Sequence, residues 1–273
     1  MITEALSALT GRRVAVLTGA GVSTGSGLPD YRGQDAPPRT PMTFQQFISE
    51  ERYRRHYWAR TYLGYQHMNE RRPNVVHEAL ARWEYQPGSA LVGIITQNID
   101  TLHEKAGSGG RRPVIDLHGR FDRVLCRQCG HRFTREFVQG MLAQANPGFH
   151  ELVGDVEIAP DADAVLEETD DFHLVVCPRC GGTLRPDVVF FGEVVPPARV
   201  AAATALVDEA EALLVLGSSL AVHSGLRYVT RAEGKPIVII NRGPTRGDRR
   251  ASVKLDGDLA ELVPPLLERL APL

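Results

Sequence analysis

Cysteines in two matched pairs are the first residues of this sequence whose spacing suggests chemistry. The chain has four cysteines in 273 residues, Cys126 with Cys129 and Cys177 with Cys180. Two thiolates in a Cys-x-x-Cys turn can bind one ion, and two such turns complete a tetrahedral site that suits zinc and has no open position. We therefore predict one structural zinc ion and expect the catalytic chemistry to lie elsewhere.

Disulfides and a redox Cys-x-x-Cys are the alternatives for these cysteines. Disulfides require an oxidising compartment, and the segment Met1–Glu4 does not resemble a secretory leader, while paired turns favour a metal over a redox site. Five arginines near the first pair would also suit a zinc ribbon that binds nucleic acid; they are Arg120, Arg123, Arg127, Arg132 and Arg135. Because Asp122 and Glu136 lie among them, we interpret this segment as a solvated surface.

A glycine-rich segment, residues 19–27, follows the first apolar run and could bind phosphate. Glycines let backbone N–H groups approach a pyrophosphate, and the start of a following helix adds a favourable dipole. The third glycine, Gly25, lies one place later than G-x-G-x-x-G requires, and Arg39 stands where an acidic ribose-binding residue is usual. A hydride-transferring Rossmann dehydrogenase is therefore a poor fit, and a purely structural turn is the simpler alternative.

Further polar turns follow other apolar runs. Asp30-Tyr31-Arg32 is too polar for a core, and Gln97-Asn98-Ile99-Asp100 places two amides and a carboxylate together. His118 follows another run and precedes Gly119. A single histidine is often structural, but its ordinary pKa near 6.5 also suits a general base at neutral pH. The neighbouring polar turns favour the catalytic interpretation.

The elements that must position these residues alternate between strands and helices. Continuous apolar runs, rich in β-branched residues, predict strands buried on both faces: residues 13–17, 91–95, 114–117, 213–216 and 237–240. Helical patterns cover residues 75–83, 197–207 and 258–270. This alternation predicts an α/β fold with a doubly wound, Rossmann-like parallel sheet. Ligands of such sheets bind beyond the carboxyl ends of the strands, where all of the polar turns would meet.

The cysteine pairs interrupt this alternation. We predict a discontinuous Rossmann-like domain, residues 1–119 and 186–273, and a smaller inserted zinc-binding module, residues 120–185, whose acidic stretch 154–171 forms an exposed loop. The net charge of −2 gives no general attraction to nucleic acid or to anionic membranes, and no apolar run approaches the roughly 20 residues that cross a bilayer. We expect a soluble cytoplasmic protein that binds neither nucleic acid nor membrane.

Together these motifs resemble the sirtuin family. The resemblance rests on blocks in the family's order across roughly residues 12–260: Gly19–Thr24, Gly27–Arg32, Thr96–Asp100, Leu117–Gly119, the paired cysteines, Pro186–Glu193, Gly217–Ser219 and Asn241. Finer features resemble the class II branch, which includes mitochondrial sirtuins with lipoamidase and weak deacetylase activity. They are Tyr57-Trp58-Ala59-Arg60, the long segment before Cys177, and Asn241–Arg246.

The resemblance implies an NAD-dependent protein lysine deacylase that consumes NAD as a co-substrate. It implies release of nicotinamide, free lysine and O-acyl-ADP-ribose, with His118 as general base and with Asn98 and Asp100 in the nicotinamide pocket. It implies NAD contacts at Gly19, Ala20, Gly21, Thr24, Asp30, Tyr31, Arg32, Gln97, Asn98, Ile99, Asp100, Gly217, Ser218, Ser219, Asn241, Arg242, Gly243 and Leu259. The acylated lysine of a protein or peptide would pair with Val189, Phe190, Phe191 and Gly192 as an added strand.

Two further residues bear on acyl preference. Tyr57 and Arg60 resemble a Tyr-x-x-Arg pair that selects acidic acyl groups in a sister branch, although both could simply belong to a helix end. Three alternative functions stay open at this point. Two use the same NAD site, namely mono-ADP-ribosyl transfer to protein and lipoamidase-type deacylation, and the third is a non-enzymatic zinc ribbon that binds nucleic acid or protein.

Overall fold

A parallel sheet forms the centre of the larger part of the protein. The computed structural model describes residues 2–30, 41–149, 151 and 169–270. Within them, six strands form this sheet in the order β3-β2-β1-β7-β8-β9. The strands are β1 (Val14–Thr18), β2 (Leu91–Thr96), β3 (Val114–Asp116), β7 (Ala212–Leu216), β8 (Ile237–Ile240) and β9 (Val253–Leu255). All five neighbouring pairs are parallel, so the prediction of a doubly wound parallel sheet is confirmed.

Helices cover both faces of this sheet. Helices α1 (Ile2–Leu9), α4 (Val75–Tyr85) and α9 (Leu259–Arg269) pack on one face, and α7 (Pro197–Glu209) and α8 (His223–Arg231) on the other. The remaining helices are α2 (Phe44–Ser49), α3 (Glu51–Glu70), α5 (Leu102–Lys105) and, in the smaller part, α6 (Arg135–Ala145). The three helices predicted from the sequence are α4, α7 and α9, each within two residues of its predicted ends.

The central strand shows why its sequence is apolar throughout. Val14 and Val16 belong to one hydrophobic core, whereas Ala15 and Leu17 belong to a second core on the other face. Successive side chains of a strand point to opposite faces, so a strand covered on both sides needs apolar residues at every position. All five residues of β1 are buried.

The smaller part is an antiparallel sheet of three strands. Its order is β5-β4-β6, with β4 at Gly119–Cys126, β5 at Arg132–Thr134 and β6 at Leu184–Val188. Trp58 and Ala59 of α3 pack into the same core as Val124 and Leu142. Helix α3 therefore contributes to this core, although its residues lie outside the predicted module 120–185. The domain division itself stays a prediction.

Two segments with sequence-based predictions lie partly or wholly outside the described residues. Tyr31 and Arg32 lie outside the described residues, and so does most of the acidic stretch 154–171. Among the residues that are described, no helix is both long enough and apolar enough to span a bilayer.

Candidate active site

The carboxyl ends of the parallel strands meet at one edge of the sheet. Thr18 is in register with Thr96 on one side and with Leu216 on the other, and Thr96 is in register with Asp116. The chain leaves β1 toward β2 on one side and returns to β7 on the other, so the order of strands reverses at β1. A cleft of about 1970 Å³ lies at this edge, which is the usual ligand position in such sheets.

Two glycine turns cross at the floor of this cleft with no room for side chains. A Cβ atom on Gly19 would lie 2.8 Å from the carbonyl oxygen of Gly217, and one on Gly21 would lie 2.9 Å from its Cα. The amide of Gly21 donates to that same carbonyl at 2.9 Å. Gly217 itself has φ +58°, a conformation that favours glycine. The glycines therefore let the ends of β1 and β7 approach each other closely and leave backbone facing the cleft.

A buried hydrogen-bond network joins the glycine segment to the turn after β2. Ser23 Oγ donates to Asp100 Oδ2 at 2.6 Å, and Asn98 Nδ2 donates to Ser23 Oγ and to the Gly19 carbonyl, both at 3.1 Å. Asp100 Oδ1 accepts from the Leu102 amide at 2.9 Å. Burial raises the pKa of Asp100, while its hydrogen bonds from Ser23 and Leu102 oppose that rise. Both carboxylate oxygens are thus engaged in fixing the shape of the turn.

His118 lies at the cleft with each ring nitrogen engaged. Nδ1 is 2.9 Å from the Gln97 carbonyl oxygen, and Nε2 is 2.8 Å from Ser224 Oγ. Burial lowers the pKa of His118, the hydrogen bond to Gln97 raises it, and the positive charge of Arg199 lowers it. Because the net shift is downward, the ring is neutral at pH 7 and can accept a proton. The sequence reasoning did not include Ser224, since only the fold brings the start of α8 against the end of β3.

The predicted NAD residues come together in one cleft as far as the structure describes them. All of those outside the undescribed pair Tyr31 and Arg32 line it. Asn241 Nδ2 donates to the carbonyl oxygens of Arg242 at 2.8 Å and Gly243 at 3.3 Å, which shapes the turn after β8. Leu259 reaches the crossing turns, because a Cβ on Gly217 would lie 2.9 Å from its Cδ1. The roles of these residues stay predictions.

The segment after β6 forms a second wall of the same cleft. The Val189 amide donates to the His118 carbonyl at 2.8 Å, and the Phe44 amide donates to the Phe191 carbonyl at 2.9 Å. Arg185 makes a two-point ion pair with Glu193, at 2.7 and 2.9 Å. Val189, Phe190, Phe191 and Gly192 all line the cleft. The predicted peptide segment is therefore tied by its backbone to His118 and by an ion pair to β6.

The two residues considered for acyl preference differ in position. Tyr57 lines the cleft, and its ring packs edge-on against Phe190 with centroids 5.3 Å apart. Arg60 is not among the described lining residues, and its Nη1 donates to His56 Nε2 at 3.0 Å. Recognition of an acidic acyl group by Arg60 stays a prediction.

The four cysteines converge at the far end of the antiparallel sheet. Their sulfur atoms all lie within 4.8 Å of one another, and all four thiols are free. Zn–S bonds of about 2.3 Å place the sulfurs of a tetrahedral site about 3.8 Å apart, and the Cys126–Cys180 and Cys129–Cys177 pairs are at 3.4 and 3.9 Å. The cysteines are thus positioned to bind one metal ion, and the donor set fits zinc.

The position of this site supports a structural role for the metal. Strand β4 runs from Gly119, next to His118, to Cys126. At about 3.3 Å per residue this separates the cysteines from the cleft by roughly 20 Å. Cys126 and Cys177 are buried in the core of the smaller part together with Val124 and Leu184.

A buried pair of histidines lies behind the end of β1 and predicts sensitivity of folding to acid. The rings of His77 and His103 have centroids 4.9 Å apart, and Thr18 Oγ1 is 3.0 Å from His103 Nε2. Burial lowers the pKa of His77 to about 2, with a further contribution from His103, and burial lowers the pKa of His103 to about 4. Since unfolded histidine titrates near pH 6.5, the stability that the neutral rings contribute is present above pH 6.5 and is lost as pH falls toward 4.

We expect His103→Gln to lose less stability than the wild type between pH 7 and pH 5. Below pH 6.5 the slope that each ring contributes approaches about 1.4 kcal/mol per pH unit, so removing one ring should reduce the loss between pH 7 and pH 5 by about 2 kcal/mol. Asp116, whose pKa burial raises to about 7, titrates with the opposite sign, and comparing variants removes its effect. Urea unfolding at pH 7, 6 and 5 measures this difference. Parallel curves for the two proteins would contradict it.

The cleft lies at the switch point of a parallel sheet and has a neutral histidine at its wall. These features are typical of a dinucleotide-binding α/β protein. The profile of the Sir2 family matches residues 19–224. The chain belongs to the Sir2 family, so the resemblance to the sirtuins is confirmed, while its assignment to the class II branch stays a prediction. It is 51% identical to NAD-dependent protein deacetylase 1 of Mycobacterium avium (strain 104), over 99% of this chain and 96% of that protein.

Two other similarities extend this result. The chain is 44% identical to the mitochondrial NAD-dependent protein lipoamidase sirtuin-4 of Bos taurus, over 93% of this chain and 81% of that protein. A solved structure of Sir2 with a p53 peptide and NAD⁺ superposes with a TM-score of 0.74 at 31% identity, covering 98% of each chain.

Proposed function

We propose that this protein is an NAD-dependent protein lysine deacylase that cleaves NAD while transferring an acyl group from lysine. The observation that carries the proposal is the contact between the two walls of the cleft. The backbone carbonyl of His118 accepts a hydrogen bond from the Val189 amide, and its ring contacts Ser224 at the start of α8. One residue thus lies between the wall built from the strand ends and the wall built from residues 189–193.

Three groups of residues would divide the work. The crossing turns at Gly19–Gly21 and Gly217 offer backbone to a pyrophosphate. The network of Asn98, Ser23 and Asp100 would hold the nicotinamide end, since every member is fixed by a partner of its own. Residues 189–193 would pair with the backbone of the substrate as an added strand, a mode that reads main chain and tolerates many sequences.

NAD, when bound, would supply an anomeric carbon for the acyl oxygen, with nicotinamide as the leaving group. His118 would then take the proton of a ribose hydroxyl so that this hydroxyl can attack the acyl carbon, after which the lysine amine leaves and one water completes the formation of O-acyl-ADP-ribose. Burial favours this step because it keeps the imidazole neutral before the reaction. General base assistance of this kind contributes about 10²–10⁴-fold.

The expected substrates are proteins or peptides that carry an acylated lysine. The Mycobacterium relative is named a deacetylase and the Bos taurus relative a lipoamidase, so acetyl- and lipoyl-lysine are the first groups to compare. Succinyl- and glutaryl-lysine test whether Tyr57 and Arg60 favour acidic groups. The absence of nucleic-acid or membrane partners and a location in the cytoplasm stay predictions.

Incubating the protein with NAD and a panel of these acyl-lysine peptides should give free-lysine peptide, nicotinamide and O-acyl-ADP-ribose in equal amounts, measured by mass spectrometry. Reactions without NAD and with unacylated peptide serve as controls. A peptide that gains ADP-ribose without losing its acyl group would indicate ADP-ribosyl transfer instead. Formation of reduced NAD, or no cleavage of NAD with any peptide, would refute the proposal.

A further inference from the structure

The hydroxyl of Ser224 is hydrogen-bonded to Nε2 of His118, the ring nitrogen that should act as the base. The Gln97 carbonyl can only accept a hydrogen bond, so His118 Nδ1, at 2.9 Å, carries the ring proton. Nε2 then has the lone pair, and Ser224 Oγ at 2.8 Å must donate its proton to it. The atom that should act as the base is therefore already bonded to a hydroxyl.

Gln97 fixes both partners of this hydrogen bond. Its carbonyl binds His118, and its side chain packs directly against Gly225, where it fills the space that a Cβ would need. Ser224 precedes Gly225 in the first turn of α8 and lines the cleft. Gln97 thus contacts both His118 and the helix turn that carries Ser224, and its Nε2 also donates to Ser218 Oγ at 2.8 Å.

A substrate hydroxyl could reach the base in two ways. Direct contact with Nε2 would require it to displace Ser224 and break a good hydrogen bond. Contact with Ser224 Oγ breaks nothing, because a hydroxyl that donates one proton still has lone pairs to accept another. The second arrangement forms a continuous chain from substrate hydroxyl to serine to histidine.

We propose that Ser224 is a catalytic residue that relays the proton from the substrate hydroxyl to His118. As the substrate oxygen attacks the acyl carbon, its proton moves to Ser224 Oγ, and the proton of Ser224 moves to His118 Nε2. The serine ends the step neutral and the histidine ends it as a cation. The role rests on the proposed function, because it concerns the step that follows release of nicotinamide.

The test separates the two steps of the reaction in the Ser224→Ala protein. Exchange of labelled nicotinamide into NAD, in the presence of an acetyl-lysine peptide, reports the first step, which does not use the base. Release of free lysine reports the second step. We expect Ser224→Ala to slow lysine release by about 10–100-fold, less than the roughly 10²–10⁴-fold of a complete general base because His118 is still present, while nicotinamide exchange stays within about threefold.

Ser224→Thr retains a hydroxyl and should restore most of the lysine release. Thr230→Ala removes an exposed hydroxyl from the same helix and serves as the matched control. Lysine release at the wild-type rate in Ser224→Ala would overturn the relay and indicate that the substrate displaces the serine. An equal loss of both steps would also overturn it, because that result indicates a structural role. A wild-type protein that shows neither exchange nor lysine release would refute the proposed function, and the relay with it.

Discussion

His118→Gln is expected to lower the rate of free-lysine release by about 10²–10⁴-fold while the protein stays folded. Glutamine has a similar size and can still donate to the Gln97 carbonyl, but it offers no basic nitrogen to Ser224 or to the substrate. The side chain lies at the cleft wall outside the two main hydrophobic cores, so its replacement should change stability little. Steady-state release of free lysine, measured beside the melting temperature, checks both expectations.

His173→Gln is the matched control for this substitution. His173 lies in the smaller part, where its amide donates to Asn146 Oδ1 at 2.6 Å, and this contact does not involve the side chain. We expect the control to retain wild-type activity. NAD-dependent lysine release by His118→Gln at the wild-type rate would remove His118 from the role of general base.

Loss of the metal should have the second large effect, on folding. The protein should contain about one zinc per chain, and Cys126→Ser or removal by a chelator should lower the melting temperature by about 10 °C or more. The reason is that two of the ligands, Cys126 and Cys177, are also part of the hydrophobic core beneath the metal. Metal analysis and thermal unfolding of the same samples measure the two quantities together.

Adding zinc back separates metal loss from general damage. The chelated wild type should recover its melting temperature, whereas Cys126→Ser should not. A variant that loses its zinc but keeps both its stability and its lysine release would contradict the structural assignment.

The sequence was informative where function depends on local spacing. Strand ends in a parallel sheet meet at one edge, so apolar runs that each end in a polar turn were enough to place Gly19, Gln97 and His118 together. The cysteine pairs predicted their own convergence for a similar reason, since each pair is a single turn. These features follow from short segments and a general rule of topology.

Contacts between distant segments could not be found in this way. The hydroxyl of Ser224 meets His118 across 106 positions of the chain, and the neighbouring residues do not signal that contact. The histidine pair behind β1 has the same origin, because burial by packed helices changes the pKa of each ring. The contact of Arg60 with His56, one turn earlier in the same helix, is in the structure, but its part in acyl preference stays a prediction.

Gly119 lies where the chain passes from the parallel sheet to the antiparallel sheet, and only a glycine fits there. Gly119 has φ +87°, its missing Cβ would collide with the Asp187 carbonyl, and Asp187 is held by Arg199 at 2.6 Å. His118, the proposed general base, precedes Gly119, and residues 189–193, the proposed peptide-binding wall, follow the strand that packs against it. Under the proposed function, a change in the angle between the two sheets would move the acylated lysine relative to the imidazole, so the alignment of the two reactants would depend on the packing at this one glycine.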